Sequence, residues 1–106
     1  MKHFETRYGA GVGQEITQVH PHQEALWAKA FDVDSLAGLF DLTSAKDAIQ
    51  KIDEAISRFN HDPDTLRPLL DASDALGLRG NRMIFEQMRR TLADHPDASI
   101  SGVIDE

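Results

Sequence analysis

The sequence predicts an all-α fold, a small bundle of four to five helices with a flexible N-terminal arm and a C-terminal tail. The chain has 106 residues, the size of one domain, and most of its apolar residues recur at helical spacing. Turns that contain proline or glycine separate these amphipathic segments. We therefore divide the chain into a glycine-rich arm (1–14), a helical domain (15–96) and an acidic tail (97–106).

The N-terminal arm combines a glycine-rich stretch with an alternating pattern. Three glycines fall between residues 9 and 13, where they allow a wide range of backbone conformations. Phe4, Thr6 and Tyr8 alternate with charged residues, a pattern that permits a short strand or a loose arm. We expect this segment to pack when a partner lies against it, so Phe4 and Tyr8 are candidate partner contacts.

The first predicted helix begins at His20 and Pro21, because proline is tolerated at the first helical position. We expect the single tryptophan to anchor the core as part of an apolar stripe that consists of Leu26, Trp27, Ala30 and Phe31. A short turn or small helix follows at residues 36–40, capped by Asp34 or Ser35.

The clearest predicted element is a helix from about Ser44 to Phe59. Ser44 and Asp47 form a capping-box pattern at its start. An apolar seam then recurs at steps of four, three, four and three residues, at Ala45, Ile49, Ile52, Ile56 and Phe59. We expect another helix, from this chain or from a second copy, to cover the seam.

Two further helices are predicted after a turn at residues 60–63. The first begins near Thr65, which places Pro68 at a position where no intrahelical donor is needed. Gly77 is predicted to end this helix as a left-handed cap. The last helix ends before His95 and carries Ile84, Phe85, Met88 and Leu92.

The composition excludes several classes of partner. A net charge of −7 repels phosphate backbones, so we expect no nucleic-acid partner. No run approaches the roughly 20 apolar residues of a membrane-spanning helix, so we expect no membrane partner. The absence of cysteine excludes disulfides and thiolate sites, and it fits a cytoplasmic protein.

Positive charge is concentrated in one segment. Four arginines against Glu86 give residues 79–90 a net charge of +3, so the rest of the chain carries −10. This asymmetry favours an interaction face for a carboxylate-rich partner or for a second copy of the chain. Arginines near the end of a helix also interact favourably with the helix dipole, which is an alternative explanation for Arg89 and Arg90. The candidate partner-binding residues are Arg79, Arg82, Arg89 and Arg90.

One alternative function is a small metal-binding protein that uses His20, His22 and Glu24. Residues two apart do not share a helix face, so the two histidines would converge only if the chain is extended there. Pro21 permits that extended conformation.

A second alternative comes from a resemblance. Asp34-Ser35-Leu36 resembles the Asp-Ser-Leu motif of acyl carrier proteins, whose serine bears phosphopantetheine. The resemblance covers three residues and implies a helical carrier modified at Ser35. In that family a long acidic recognition helix follows the serine, whereas residues 36–40 of this chain are apolar and contain glycine.

The sequence shows no catalytic constellation. The glycines at 9–13 depart from a dinucleotide-binding fingerprint, since Gln14 stands where its last glycine would be. We therefore predict a non-enzymatic protein–protein interaction module, without a cofactor, that acts through helix faces as an adaptor, inhibitor, chaperone or assembly subunit. The expected partner is another protein or a second copy of the chain.

Overall fold

The chain forms a four-stranded antiparallel sheet with helices packed on one face, so the prediction of an all-α bundle is wrong. The computed structural model describes residues 2–8 and 13–105, the last three by their backbone alone. The strands are β1 (Lys2–Tyr8), β2 (Gln14–Val19), β3 (Thr43–Ser44) and β4 (Ala98–Asp105), and their order in the sheet is β2-β1-β4-β3.

The central strands come from the first and last segments of the chain, where an arm and a tail were predicted. In β1, Phe4 and Thr6 are buried and alternate with charged residues. In β4, Ala98 and Ile100 are buried and alternate with serines. β1 and β4 pair with each other in antiparallel orientation, although about 90 residues separate them in the sequence. The stretch from Gly9 to Val12, which was expected to be flexible, lies outside the described residues.

Four helices make up the second layer among the described residues. They are α1 (Glu24–Phe31), α2 (Ala45–His61), α3 (Pro63–Leu66) and α4 (Gly77–Asp94), with short 3-10 turns at Pro21–Gln23 and Arg67–Leu69. Nowhere in residues 2–8 and 13–105 is a helix long and apolar enough to cross a membrane.

Helix α2 begins where the sequence predicted. Ser44 is its N-cap, and the Ser44 hydroxyl accepts a hydrogen bond from the Asp47 amide at 3.2 Å. The buried stripe is shifted toward the alanines, so Ile49 and Ile56 lie half-buried at its rim. Its members are Ala45, Ala48, Ile52, Ala55 and Phe59.

The region between α2 and α4 differs from the prediction. The expected helix from Thr65 is only α3 and a 3-10 turn, and turns occupy the residues up to Leu76. Pro68 lacks the amide hydrogen that a longer helix would need. Gly77 has the predicted left-handed backbone, with φ of 65°, but it begins α4 instead of ending a helix.

An aromatic cluster joins the helices to the sheet. The Phe85 ring lies 4.9, 5.0 and 5.3 Å from the rings of Trp27, Phe31 and Phe59. Phe4 of β1 stacks on Trp27 at 6.3 Å. Trp27 is fully buried, which confirms its predicted place in the core.

A buried amide connects α1 to the start of α4. The Asn81 side-chain oxygen accepts hydrogen bonds from Trp27 Nε1 at 2.8 Å and from Gln23 Nε2 at 3.1 Å. Its nitrogen donates to the Gly77 carbonyl at 2.7 Å and to the Asp74 carboxylate at 3.1 Å. All four hydrogen-bonding positions of the amide are therefore used inside the protein.

Replacing Asn81 with leucine is expected to lower the free energy of unfolding by about 2–4 kcal/mol. The substitution leaves the Trp27 and Gln23 donors buried without an acceptor, and each such group costs about 1–3 kcal/mol. Urea denaturation followed by tryptophan fluorescence measures the change. The exposed Gln87→Leu variant is the control, with a change below about 0.5 kcal/mol. Equal stability of the two variants would contradict the structural role of Asn81.

Candidate functional site

The exposed side of α4 is the candidate functional surface. The helix buries Asn81, Phe85, Met88 and Leu92. Successive residues turn by about 100° around a helix, which places a different set of residues opposite the buried ones. We call this set the α4 outer face; it consists of Leu76 at the N-cap and Arg79, Met83, Arg90 and Asp94.

The α4 outer face has an apolar component. Leu76 is 49% exposed and Met83 is 46% exposed, although both are large apolar side chains. Met83 lies four residues from Arg79 and seven from Arg90, so the three side chains are neighbours on one side of the helix. Arginine and methionine are both enriched in protein–protein interfaces.

Two of the four predicted arginines connect α4 to α2. Arg82 Nη1 donates to the Asn60 side-chain oxygen at 3.0 Å, and Arg82 Nε lies 3.4 Å from Glu86. Arg89 Nε donates to the Asp53 carboxylate at 2.6 Å. The Arg89–Asp53 pair is about half exposed, so it contributes at most about 1 kcal/mol to stability. These two arginines therefore orient α4 against α2.

The other two arginines are exposed. Arg79 and Arg90 form no ion pair or side-chain hydrogen bond with any residue that the structure describes. Their guanidinium groups are thus available to carboxylates from another molecule, which they can bind through two parallel hydrogen bonds.

The charges at the two ends of α4 run against its dipole. Its first turn contains no acidic residue and its last turn no basic residue. Arg79 lies in the first turn, where the helix dipole disfavours a cation, and Asp94 is the last residue, where it disfavours an anion. Near the N-terminus of α4, the buried Asp74 carboxylate accepts a hydrogen bond from the Leu76 amide at 2.9 Å. Its negative charge partly offsets the unfavourable position of Arg79.

A hydrogen-bonded turn lies just before α4 in the chain. The Asp71 carboxylate accepts hydrogen bonds from the Ser73 hydroxyl and the Ser73 amide. These bonds, the side-chain bond first, hold the pKa of Asp71 below its usual value. Because the folded pKa is the lower one, the turn is stabilised at neutral pH and loses this stabilisation as the pH falls through the folded pKa.

Of the two predicted aromatic contacts, Phe4 lies in the core and Tyr8 lies beside Asp94 at the end of α4. Phe4 is fully buried between Trp27 and Phe40, so it belongs to the core and is inaccessible to a partner. Tyr8 is half-buried, and its ring meets the His95 ring at 4.8 Å. The structure therefore does not bring Phe4 to the α4 outer face.

The predicted metal ligands do not form a ligand set. The His20 and His22 rings stack at 5.5 Å, while the Glu24 carboxylate binds the Lys2 ammonium at 2.7 Å. His22 Nε2 lies 3.9 Å from the buried Asp74 carboxylate. Within residues 2–8 and 13–105, no three histidine or carboxylate side chains are grouped so that they could hold a metal ion.

Ser35 lies in an exposed turn. Its hydroxyl accepts a hydrogen bond from the Ala37 amide at 3.2 Å. Turns, with Gly38 in a left-handed conformation, occupy the segment that was predicted to be a turn or small helix. A helix like the one that follows the modified serine in acyl carrier proteins is therefore absent from residues 36–40.

Protein-family models, curated proteins and solved structures give no match to the chain. The chain's own surface is therefore the basis for a proposed function.

Leu76, Met83 and Asp94 were not among the predicted contact residues, although the four arginines were. A helical wheel drawn with Phe85 and Met88 inside would have placed Met83 outside, beside Arg79 and Arg90. The missing information was the position of α2, which contacts Arg82 and Arg89 and leaves Arg79 and Arg90 exposed.

The Phe4→Ala variant is expected to lose about 3–5 kcal/mol of unfolding free energy, because it leaves a cavity between two aromatic rings. The Tyr8→Ala variant should lose less, about 1 kcal/mol, since its side chain is half-exposed. Chemical denaturation of both variants measures the difference. A stable Phe4→Ala protein would show that Phe4 is not part of the core.

Proposed function

We propose that the protein is a non-enzymatic interaction module that binds a carboxylate-rich protein surface through the α4 outer face. The observation that carries this proposal is the pair of exposed arginines, Arg79 and Arg90, on either side of the exposed Met83. The two cations supply charge-assisted hydrogen bonds, and the methionine supplies an adaptable apolar contact.

The rigidity of α4 supports a binding role. Asn81 ties the helix to α1, and Arg82 and Arg89 tie it to α2. A surface whose backbone is ordered before binding loses less conformational entropy when a partner arrives. The α4 outer face is thus presented on a helix that needs no rearrangement.

The charge distribution favours a protein partner over a nucleic acid. The segment with Arg79 and Arg90 is cationic, but the chain as a whole carries −7 and repels an extended polyanion. A carboxylate-rich protein surface presents negative charge over a small area, which matches two arginines. We place this role in the cytoplasm, a proposal supported by the absence of cysteine.

Reversing both exposed arginines, in the variant Arg79→Glu/Arg90→Glu, is expected to weaken partner binding at least about tenfold, which corresponds to about 1.4 kcal/mol. The measurement is quantitative mass spectrometry of the proteins retained by the variant and by the wild type from an extract of the native cells. Bound partners should also be released by salt, because exposed charges are screened.

The matched control is the variant Lys29→Glu/Lys46→Glu, which has the same net charge and alters exposed cations of α1 and α2 that do not belong to the α4 outer face. It should retain the same partners as the wild type. Equal retention by the arginine variant, or equal loss by the lysine variant, would show that the α4 outer face is not the binding surface. Denaturation curves confirm that both variants are folded.

A further inference from the structure

We infer that a second copy of the chain binds the α4 outer face, with the two α4 helices antiparallel about a two-fold axis between Glu86 and Gln87. The inference rests on the proposed function, since it names Asp94 of the partner subunit as the carboxylate that the exposed Arg79 binds.

Four of the five residues of the α4 outer face, all except Leu76, are arranged so that they complement one another in this orientation. With the axis between residues 86 and 87, Arg79 lies opposite Asp94 of the partner subunit, and Met83 lies opposite Arg90 of the partner subunit. Each contact occurs twice, as a two-fold interface requires. The four residues fall within about 60° of arc around the helix, so they point toward the same neighbour.

The antiparallel arrangement corrects the unfavourable charge order of α4. Within one chain, Arg79 lies at the positive end of the helix dipole and Asp94 at the negative end. In the pair, each Arg79 meets a carboxylate and the negative end of the other helix. Each Asp94 likewise meets a guanidinium and the positive end of the other helix. Two mismatches in each chain thereby become favourable contacts.

Met83 gives the pair its apolar contact. Its side chain is 46% exposed in the single chain. In the pair it packs along the aliphatic part of Arg90 of the partner subunit, while the guanidinium of that arginine stays in water. Both copies of this contact lie close to the axis, where water is most readily excluded.

The dimer should be weak and reversible. One helix face forms a small contact, below the size of stable protein–protein interfaces. Each copy also carries a charge of −7, so the two molecules repel each other at long range. We therefore expect monomer at low concentration and dimer at high concentration.

Complementary charge reversals test the inference. Arg79→Asp places two carboxylates opposite each other, and Asp94→Arg places two guanidinium groups opposite each other. Sedimentation velocity over a wide concentration range should show that each variant alone dimerises about tenfold more weakly than the wild type. Mixed in equal amounts, the two variants should recover wild-type affinity, because both contacts of the mixed dimer pair an acid with a base.

The control mixture is Lys29→Asp with Asp34→Arg, which changes exposed charges by the same amounts away from α4. Each of these variants should dimerise like the wild type, and mixing should have no effect. A wild-type protein that remains monomeric at the highest soluble concentration overturns the inference. So does a mixture of Arg79→Asp and Asp94→Arg that remains as weak as its components.

Cysteine crosslinking tests the register, since the chain has no cysteine of its own. Gln87→Cys lies next to the proposed axis and should form a disulfide-linked dimer under mild oxidation. Met83→Cys should not, because the two copies of residue 83 are displaced by about 10 Å along the helices, beyond disulfide reach. Crosslinking at both positions would indicate parallel helices and overturn the proposed arrangement.

The two proposals fail in different ways. If the wild type is monomeric but the Arg79→Glu/Arg90→Glu variant loses a cellular partner, the inferred dimer is wrong and the proposed binding of a carboxylate-rich protein stands. If the wild type dimerises as described and no other protein is retained, the second copy is the partner of the α4 outer face.

Discussion

The buried amide of Asn81 is the constraint on which the helical layer depends. It joins the indole of Trp27 and the amide of Gln23, both in the first helical segment, to the turn that starts α4. A buried amide is stable only when its donors and acceptor are all satisfied, so this residue permits one relative position of α1 and α4. Apolar packing around Phe85 alone would tolerate small rotations of α4, and the amide removes that freedom.

Fixing the rotation of α4 also fixes what each side of the helix does. The inner side packs Phe85 and Met88 in the core, and the side toward α2 carries Arg82 and Arg89. The remaining side is left with two arginines that have no partner among the described residues and with an exposed methionine. The candidate binding surface is thus a consequence of core geometry, although none of its members lies in the core.

Part of the candidate site could be predicted from the sequence, and part could not. Arg79 and Arg90 stand out because positive charge is rare in this chain and concentrated in one segment. Arg82 and Arg89 were selected for the same reason, but their partners in α2 lie 22 and 36 residues earlier in the chain. Phe4 was taken for a surface contact because a short alternating segment does not reveal whether a sheet and helices enclose it.

The sequence by itself determined the helix start at Ser44, the core position of Trp27 and the left-handed backbone of Gly77. These features depend on interactions within a few residues or on the size of one side chain. Only the tertiary structure decided that residues 2–8 and 98–105 are the central strands of a sheet. Strand pairing places each hydrogen bond between distant segments. A local pattern of a few alternating apolar residues therefore cannot distinguish a strand from a loose end.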